Sequence, residues 1–227
     1  GVIRMDLPMD AAAEDHIFST LEAIGDRLRA TLAAKNEARD TALSYSRTLV
    51  RSCAQTIRAI HRGEMENAQE LLAQAGETAA ALRVAVAADP DLYCAGYTQD
   101  GLKEFVEANV LMALVTGAEL PTPEALQVEA ATYLKGLAEA ATELRRTVLD
   151  IIREDHSEQA ERLLVAMDEI YSLLITIDYP DAITGGLRRS TDVVRGVRER
   201  TRGDLTMSLR QQRLQQALRR AESRRGV

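Results

Sequence analysis

Apolar residues recur at helical spacing along almost the whole chain, and no stretch alternates in the two-residue manner of a strand. Breakers are few and widely separated: Pro8, Gly63, DPDLYCAGYTQD at 89–100, GAELPTP at 117–123 and DYPDAITGG at 178–186. Between them the pattern predicts seven helices, a very long first one over 10–62 and then 64–88, 100–116, 123–154, 157–177, 182–202 and 204–222. The last begins after Gly203 and keeps Leu205, Leu209, Leu214 and Leu218 among its arginines, and no internal repeat of fixed period is visible. The fold class is therefore all-α: one seven-helix bundle over 1–227, with an irregular N-terminus at 1–9 and a short basic tail at 223–227.

The third of these helices, in GLKEFVEANVLMALVTG (101–117), departs from the usual division into an apolar and a polar face. Glu104 and Glu107 fall on one stripe with Ala108, Leu111 and Val115, while Phe105, Val106, Val110, Ala113 and Leu114 cover most of the remainder. Two carboxylates one turn apart thus head an apolar stripe, with only Lys103 and Asn109 as polar company.

Composition sharpens the picture. A chain of 227 residues can bury a sizeable core, and with 4% aromatics and no Trp that core must be built from Leu, Ala, Ile and Val, which suits helices packed closely through small residues. The net charge of −7 argues against a generic nucleic-acid binder, but its distribution is uneven. Residues 187–227 hold twelve Arg and no Lys against four acids, a balance of +8 that leaves −15 for residues 1–186. Cys53 and Cys94 form no CxxC pair, so neither a disulfide framework nor a thiolate metal site is indicated. No run approaches the roughly 18 to 20 apolar residues of a membrane span, and the N-terminus lacks a signal-peptide plan; the expectation is a cytoplasmic protein with no membrane association. Gly1 in place of an initiating Met reads as a processed or engineered end.

A second carboxylate pair lies in YLKGLAEAATELRR (133–146), where Glu139 and Glu143 project from one helix face that Arg146 and Asp150 continue. Two helices offering two carboxylates each can pool four hard oxygen ligands, a set that suits Mg²⁺ or Mn²⁺ better than Zn²⁺ or copper. Without a cation the four would repel one another and raise each other's pKa values. For Glu139 and Glu143, which share their stripe with Lys135, Arg146 and Asp150, a solvated face is an equally economical reading. A ferritin-like di-iron bundle needs Glu-x-x-His, and none of His16, His61 and His156 follows a Glu by three. No phosphate-binding Gly-rich loop of Walker or Rossmann type is present.

The first helix carries a basic row. Arg47, Arg51, Arg58 and Arg62 fall within about 60° of one another at helical spacing, with His61 at the edge. Guanidinium groups in a row can follow a phosphate backbone through paired hydrogen bonds, although a solvated face or a partner for the acidic helices fits the same pattern.

The runs RTLVRSCAQTIRAIHR, GLKEFVEA, YLKGLAEAATELRR and DYPDAITGGLRR, followed by RERTRGDLT, together resemble the translin family, in particular archaeal members and the branch typified by translin-associated factor X. The resemblance covers roughly 45–205, and the order and spacing of its short motifs make it specific. It implies a seven-helix α fold that assembles into closed octamers enclosing RNA and, in the factor X branch, a Mg²⁺-dependent endoribonuclease. That branch places its catalytic acids in GLxE-aromatic-VEA and YLxGxADxxxEL motifs, which match Glu104, Glu107, Glu139 and Glu143 here. Glu139 departs from the pattern, which has Asp; the extra methylene keeps the ligand type but changes its reach. The translin branch lacks the acidic pair of the third helix, so this chain sides with the catalytic branch.

The expected activity is therefore cleavage of single-stranded RNA, or RNA with single-stranded segments. Glu104, Glu107, Glu139 and Glu143 would hold Mg²⁺ (or Mn²⁺), and Arg47, Arg51, Arg58, His61, Arg62 and Arg146 would bind RNA. Two other readings share these features. All-α nucleotide pyrophosphatases also set E-x-x-E on one helix with carboxylates on the next, and a translin-like scaffold would bind RNA or single-stranded DNA without cutting it. Small residues at Ala30, Ala33, Ala34, Ala38 and Ala42, with apolar residues in the early turns, give the first helix more apolar surface than one bundle covers, which predicts a homo-oligomer. The resemblance makes that an octamer.

Overall fold

A computed structural model describes residues 11–154 and 158–224. The expected irregular segment at 1–9 lies outside the described residues; the expected basic tail starts inside the last helix, at Ser223 and Arg224, and 225–227 again lie outside. Among the described residues there are no strands, and no helix is long and apolar enough to cross a membrane. Six long helices carry the fold of the described residues: α1 (Ala11–His61), α2 (Met65–Val86), α4 (Gly96–Thr116), α6 (Ala130–Glu154), α7 (Glu158–Leu174) and α9 (Leu187–Arg224). Three four-residue helices, α3 (Pro90–Tyr93), α5 (Pro123–Leu126) and α8 (Asp181–Thr184), punctuate the connections.

The second half of α1 is bound into the bundle by Ala42, Ser46, Leu49, Cys53, Thr56 and Ile60, all buried and spaced alternately four and three residues apart. That repeat puts them on one stripe, against which α2 sets Ala68, Ala75, Ala79, Leu82 and Val86. Gly63 makes the turn between the two helices at φ +73°, a left-handed backbone that a Cβ would strain. The first half of α1 stands clear of the bundle, with Phe18, Leu21, Leu28 and Leu32 more than half exposed. Helix α4 is buried on most sides, through Leu102, Phe105, Val106, Ala108, Val110 and Leu111, and it packs on α1 and on α6.

Four boundaries differ from expectation. The helix expected over 123–154 is divided, because Thr122 caps α5 through a hydrogen bond accepted from the Ala125 amide and Gln127 turns left-handed at φ +52°. A short helix at Pro90 and an earlier start for α4 at Gly96 shorten the expected 89–100 loop. Gly203 does not end a helix, since α9 runs through it from Leu187, and the start of the helix expected over 182–202 is set apart as α8 by the left-handed Gly185 and Gly186. An interior Gly costs about 1 kcal/mol against Ala, which the buried Val194, Val197, Thr201 and Leu205 around it and the Arg145–Asp204 ion pair at 2.8 Å offset.

Candidate metal centre

The closest approach of α4 and α6 sets the geometry. Gly136 lies against Val106, where a Cβ on it would stand 2.6 Å from the Val106 Cβ and 2.7 Å from the Lys103 carbonyl oxygen, so only Gly allows this spacing. One turn further along α6 comes Glu139, which faces the Glu104–Glu107 turn of α4. Carboxylate oxygens of Glu104, Glu107 and Glu139 lie within 4.8 Å of one another.

The three acids are not equivalent. Glu107 is buried, at 7% exposure, and has no hydrogen bond or ion pair among the described residues. Burial, and after it the charges of Glu104, Glu139 and Glu143, push its pKa up to about 8. Lys103 holds the other two: its Nζ is 3.1 Å from Glu104 and 2.7 Å from Glu139. Burial works against the Lys103 charge, but Glu139 and Glu104 outweigh it and raise the ammonium pKa. Nearby, burial and then Glu104 and Glu107 push the Cys53 thiol up to about 12, which leaves it inert beside the centre.

Glu143 stands apart from the trio. Its carboxylate lies 2.8 Å from Nε2 of His61, whose side chain is only 2% exposed, and the Thr147 hydroxyl is 3.4 Å from Nδ1 of the same ring. The hydrogen bond from His61 holds the Glu143 carboxyl below its ordinary range, so Nε2 is the donating nitrogen. His61 therefore turns into the protein and does not share the outward face of the arginine row.

Arg47, Arg51 and Arg58 are exposed and have no ion-pair partner among the described residues. Arg62, also exposed, pairs with Glu64 at 2.9 Å, and exposed Arg146 lies 4.0 Å from Asp150. Two features of the centre are not legible in the sequence. Lys103 bridges acids on two helices, yet only its adjacency to Glu104 shows in the chain, and the His61–Glu143 contact joins positions 82 apart.

The donor set fits a hard divalent cation. Three carboxylates supply oxygen ligands, the buried one lacks a cationic partner of its own, and no thiolate or imidazole belongs to the trio, as a Zn²⁺ site would ask.

Fold and site together define an all-helical protein with a carboxylate centre between α4 and α6. No protein-family model matches the sequence. The uncharacterized protein MJ0175 of Methanocaldococcus jannaschii is 31% identical over 193 residues, 84% of this chain and 85% of the relative. Among solved structures, AfC3PO is 32% identical over 83% of this chain and 96% of its own, with a TM-score of 0.72. The AfC3PO–duplex RNA complex gives 34% over the same shares and a TM-score of 0.69. NeC3PO, at 21% identity, 81% and 96% coverage and a TM-score of 0.72, shares the fold. The chain belongs to the translin family.

Proposed function

We propose that the protein is a Mg²⁺-dependent endoribonuclease acting on single-stranded RNA or single-stranded segments, with each subunit of a homo-octamer carrying one site. The observation that carries this reading is the Glu104–Glu107–Glu139 trio, three carboxylates within 4.8 Å whose buried member makes no ion pair. Glu104, Glu107 and Glu139 would hold Mg²⁺, or Mn²⁺, which shares the preference for oxygen ligands. Such an ion stabilises charge on a phosphoryl oxygen and lowers the pKa of water. Glu139 in place of the Asp of the catalytic branch keeps the ligand oxygen and lengthens its reach. Glu143, fixed by His61 at the edge of the trio, offers a hydrogen-bond acceptor to an incoming nucleophile. Arg47, Arg51 and Arg58 supply an exposed cationic row for the RNA backbone, with Arg62 and Arg146 at its margins. The solved relative that holds duplex RNA supports RNA as the ligand class.

The test is cleavage of end-labelled single-stranded RNA and of a matched duplex, in Mg²⁺ and in chelator. Internal cuts in the single strand that need Mg²⁺ are expected. Pyrophosphate release from nucleoside triphosphates without RNA cleavage would favour the pyrophosphatase reading, and RNA binding with no cleavage in Mg²⁺ would favour the scaffold.

A further inference from the structure

Glu139 borders a second feature. Between α6 and α9 lies a cleft of about 160 Å³, lined by Ala138, Glu139, Thr142, Arg189, Ser190 and Val193. Its volume is about five times a water molecule's share of the liquid, enough for one tetrahedral anion and its residual hydration. The Thr142 hydroxyl is committed to the Glu139 carbonyl oxygen at 2.8 Å. The Arg189 guanidinium and the Ser190 hydroxyl have no hydrogen-bond or ion-pair partner among the described residues. Arg189 is exposed and Ser190 partly so, and donors of this kind side by side at a cleft suit a ligand with several acceptor oxygens.

Four other arginines of α9 are held differently from Arg189, while exposed Arg200 makes no ion pair among the described residues and does not line the cleft. Arg195 pairs with Asp192 at 3.0 Å, Arg202 pairs with Asp168 at 2.6 Å, and Arg198 is held by Asp168 and stacks over Tyr171. Arg188 lines a larger groove together with Asp178, Asp181 and Asp192. Arg189 alone of these five opens beside a carboxylate of the proposed centre, and it makes no ion pair with that carboxylate, because Glu139 is taken by Lys103 at 2.7 Å. A second free cation is close: Lys135, one turn before Glu139 on α6, sends its Nζ to the Gly185–Gly186 turn, 3.7 Å from where a Gly185 Cβ would be.

We infer that this cleft is a phosphate subsite, in which Arg189 and Ser190, with Lys135 at the rim, take the phosphodiester that flanks the one presented to the Glu104–Glu107–Glu139 trio. The inference rests on the nuclease reading for its ligand. An extended strand lying across Glu139 brings one phosphate to the carboxylates and the next to Arg189, so the subsite fixes the register of the strand. It also supplies positive charge where the trio alone would repel the backbone.

The experiment measures binding of a fluorescein-labelled single-stranded RNA in chelator, where nothing is cut, for the full-length wild type and for Arg189→Gln, Ser190→Ala and Arg188→Gln. Arg189→Gln is expected to weaken binding about tenfold and to reduce the log–log salt slope by about 0.7, the signature of one phosphate deprived of its cation on a single strand. Arg188→Gln should stay within about twofold. A neutral methylphosphonate at the flanking position should weaken the wild type and leave Arg189→Gln unchanged. Equal affinity and slope for Arg189→Gln and the wild type, or an equal loss in Arg188→Gln, would overturn the subsite. The two readings fail separately: a wild type that binds through Arg189 yet cuts nothing in Mg²⁺ loses the nuclease and keeps the subsite, whereas normal cutting with Arg189→Gln binding unchanged does the reverse.

Discussion

Gly136 of α6 meets Val106 of α4 with no room for a side chain, since a Cβ at 136 would stand 2.6 Å from the Val106 Cβ. Both backbones are held at that spacing by buried Leu102, Phe105, Leu137 and Ala140, so neither can yield cheaply. The contact fixes how far Glu139 stands from Glu104 and Glu107.

Gly136→Ala should therefore act on stability and site together. Helix propensity alone would favour Ala by roughly 1 kcal/mol, but overpacking costs about 1–3 kcal/mol. The expected net result is a lower melting temperature and weaker Mg²⁺ binding by calorimetry. A stabilised variant with unchanged Mg²⁺ affinity would show that the two helices have room to move apart.

The two helices with their acids were legible in the chain because Glu104, Glu107, Glu139 and Glu143 obey helical periodicity. What periodicity cannot supply is the register between helices. It is the Gly136–Val106 contact that brings Glu139 into the trio and leaves Glu143 to His61. His61 lies at the edge of an exposed arginine row, directly after buried Ile60, and a side chain at such an edge can turn either way. Gly203 lies inside a helix for a related reason: burial on both sides of it overrides a local breaker signal.

Glu107 gives the metal-free protein a distinctive pH dependence. Its pKa is about 8 in the fold against 4.5 for an ordinary Glu, so between these values the folded state keeps a proton that the unfolded chain has released. Stability from this group is thus full below pH 4.5 and is lost as pH rises towards 8. In chelator the melting temperature should fall between pH 5 and pH 8, by roughly 5 °C or more, and Mg²⁺ at pH 8 should restore it. Glu107→Gln should flatten the dependence; an identical pH profile in that variant would remove Glu107 as its source.

The exposed row on α1 is tested by salt. Replacing Arg51 and Arg58 together with Gln should weaken RNA binding and reduce the log–log salt slope by about 0.7 for each phosphate that these arginines neutralise. An unchanged slope would mean that the row faces solvent or protein.

Assembly follows from the free half of α1. Phe18, Leu21, Leu28 and Leu32 are 70%, 59%, 58% and 64% exposed, which is more contiguous apolar surface than a lone chain leaves in water. Light scattering at micromolar concentration should give about eight times the 24.9 kDa chain mass, the closed octamer proposed above. A mass of one or two chains, with full activity on long folded RNA, would rule out the octamer.

If the trio between α4 and α6 performs metal-dependent RNA cleavage, Glu107→Gln should abolish it. The substitution removes a ligand charge and keeps nearly the same volume in a buried position, so the fold should persist by circular dichroism. Cleavage of labelled single-stranded RNA in saturating Mg²⁺ should fall by ~100-fold or more, ~2.7 kcal/mol of barrier, while RNA affinity in chelator stays within about twofold. Wild-type cleavage by the Gln variant would show that the trio does not carry the reaction.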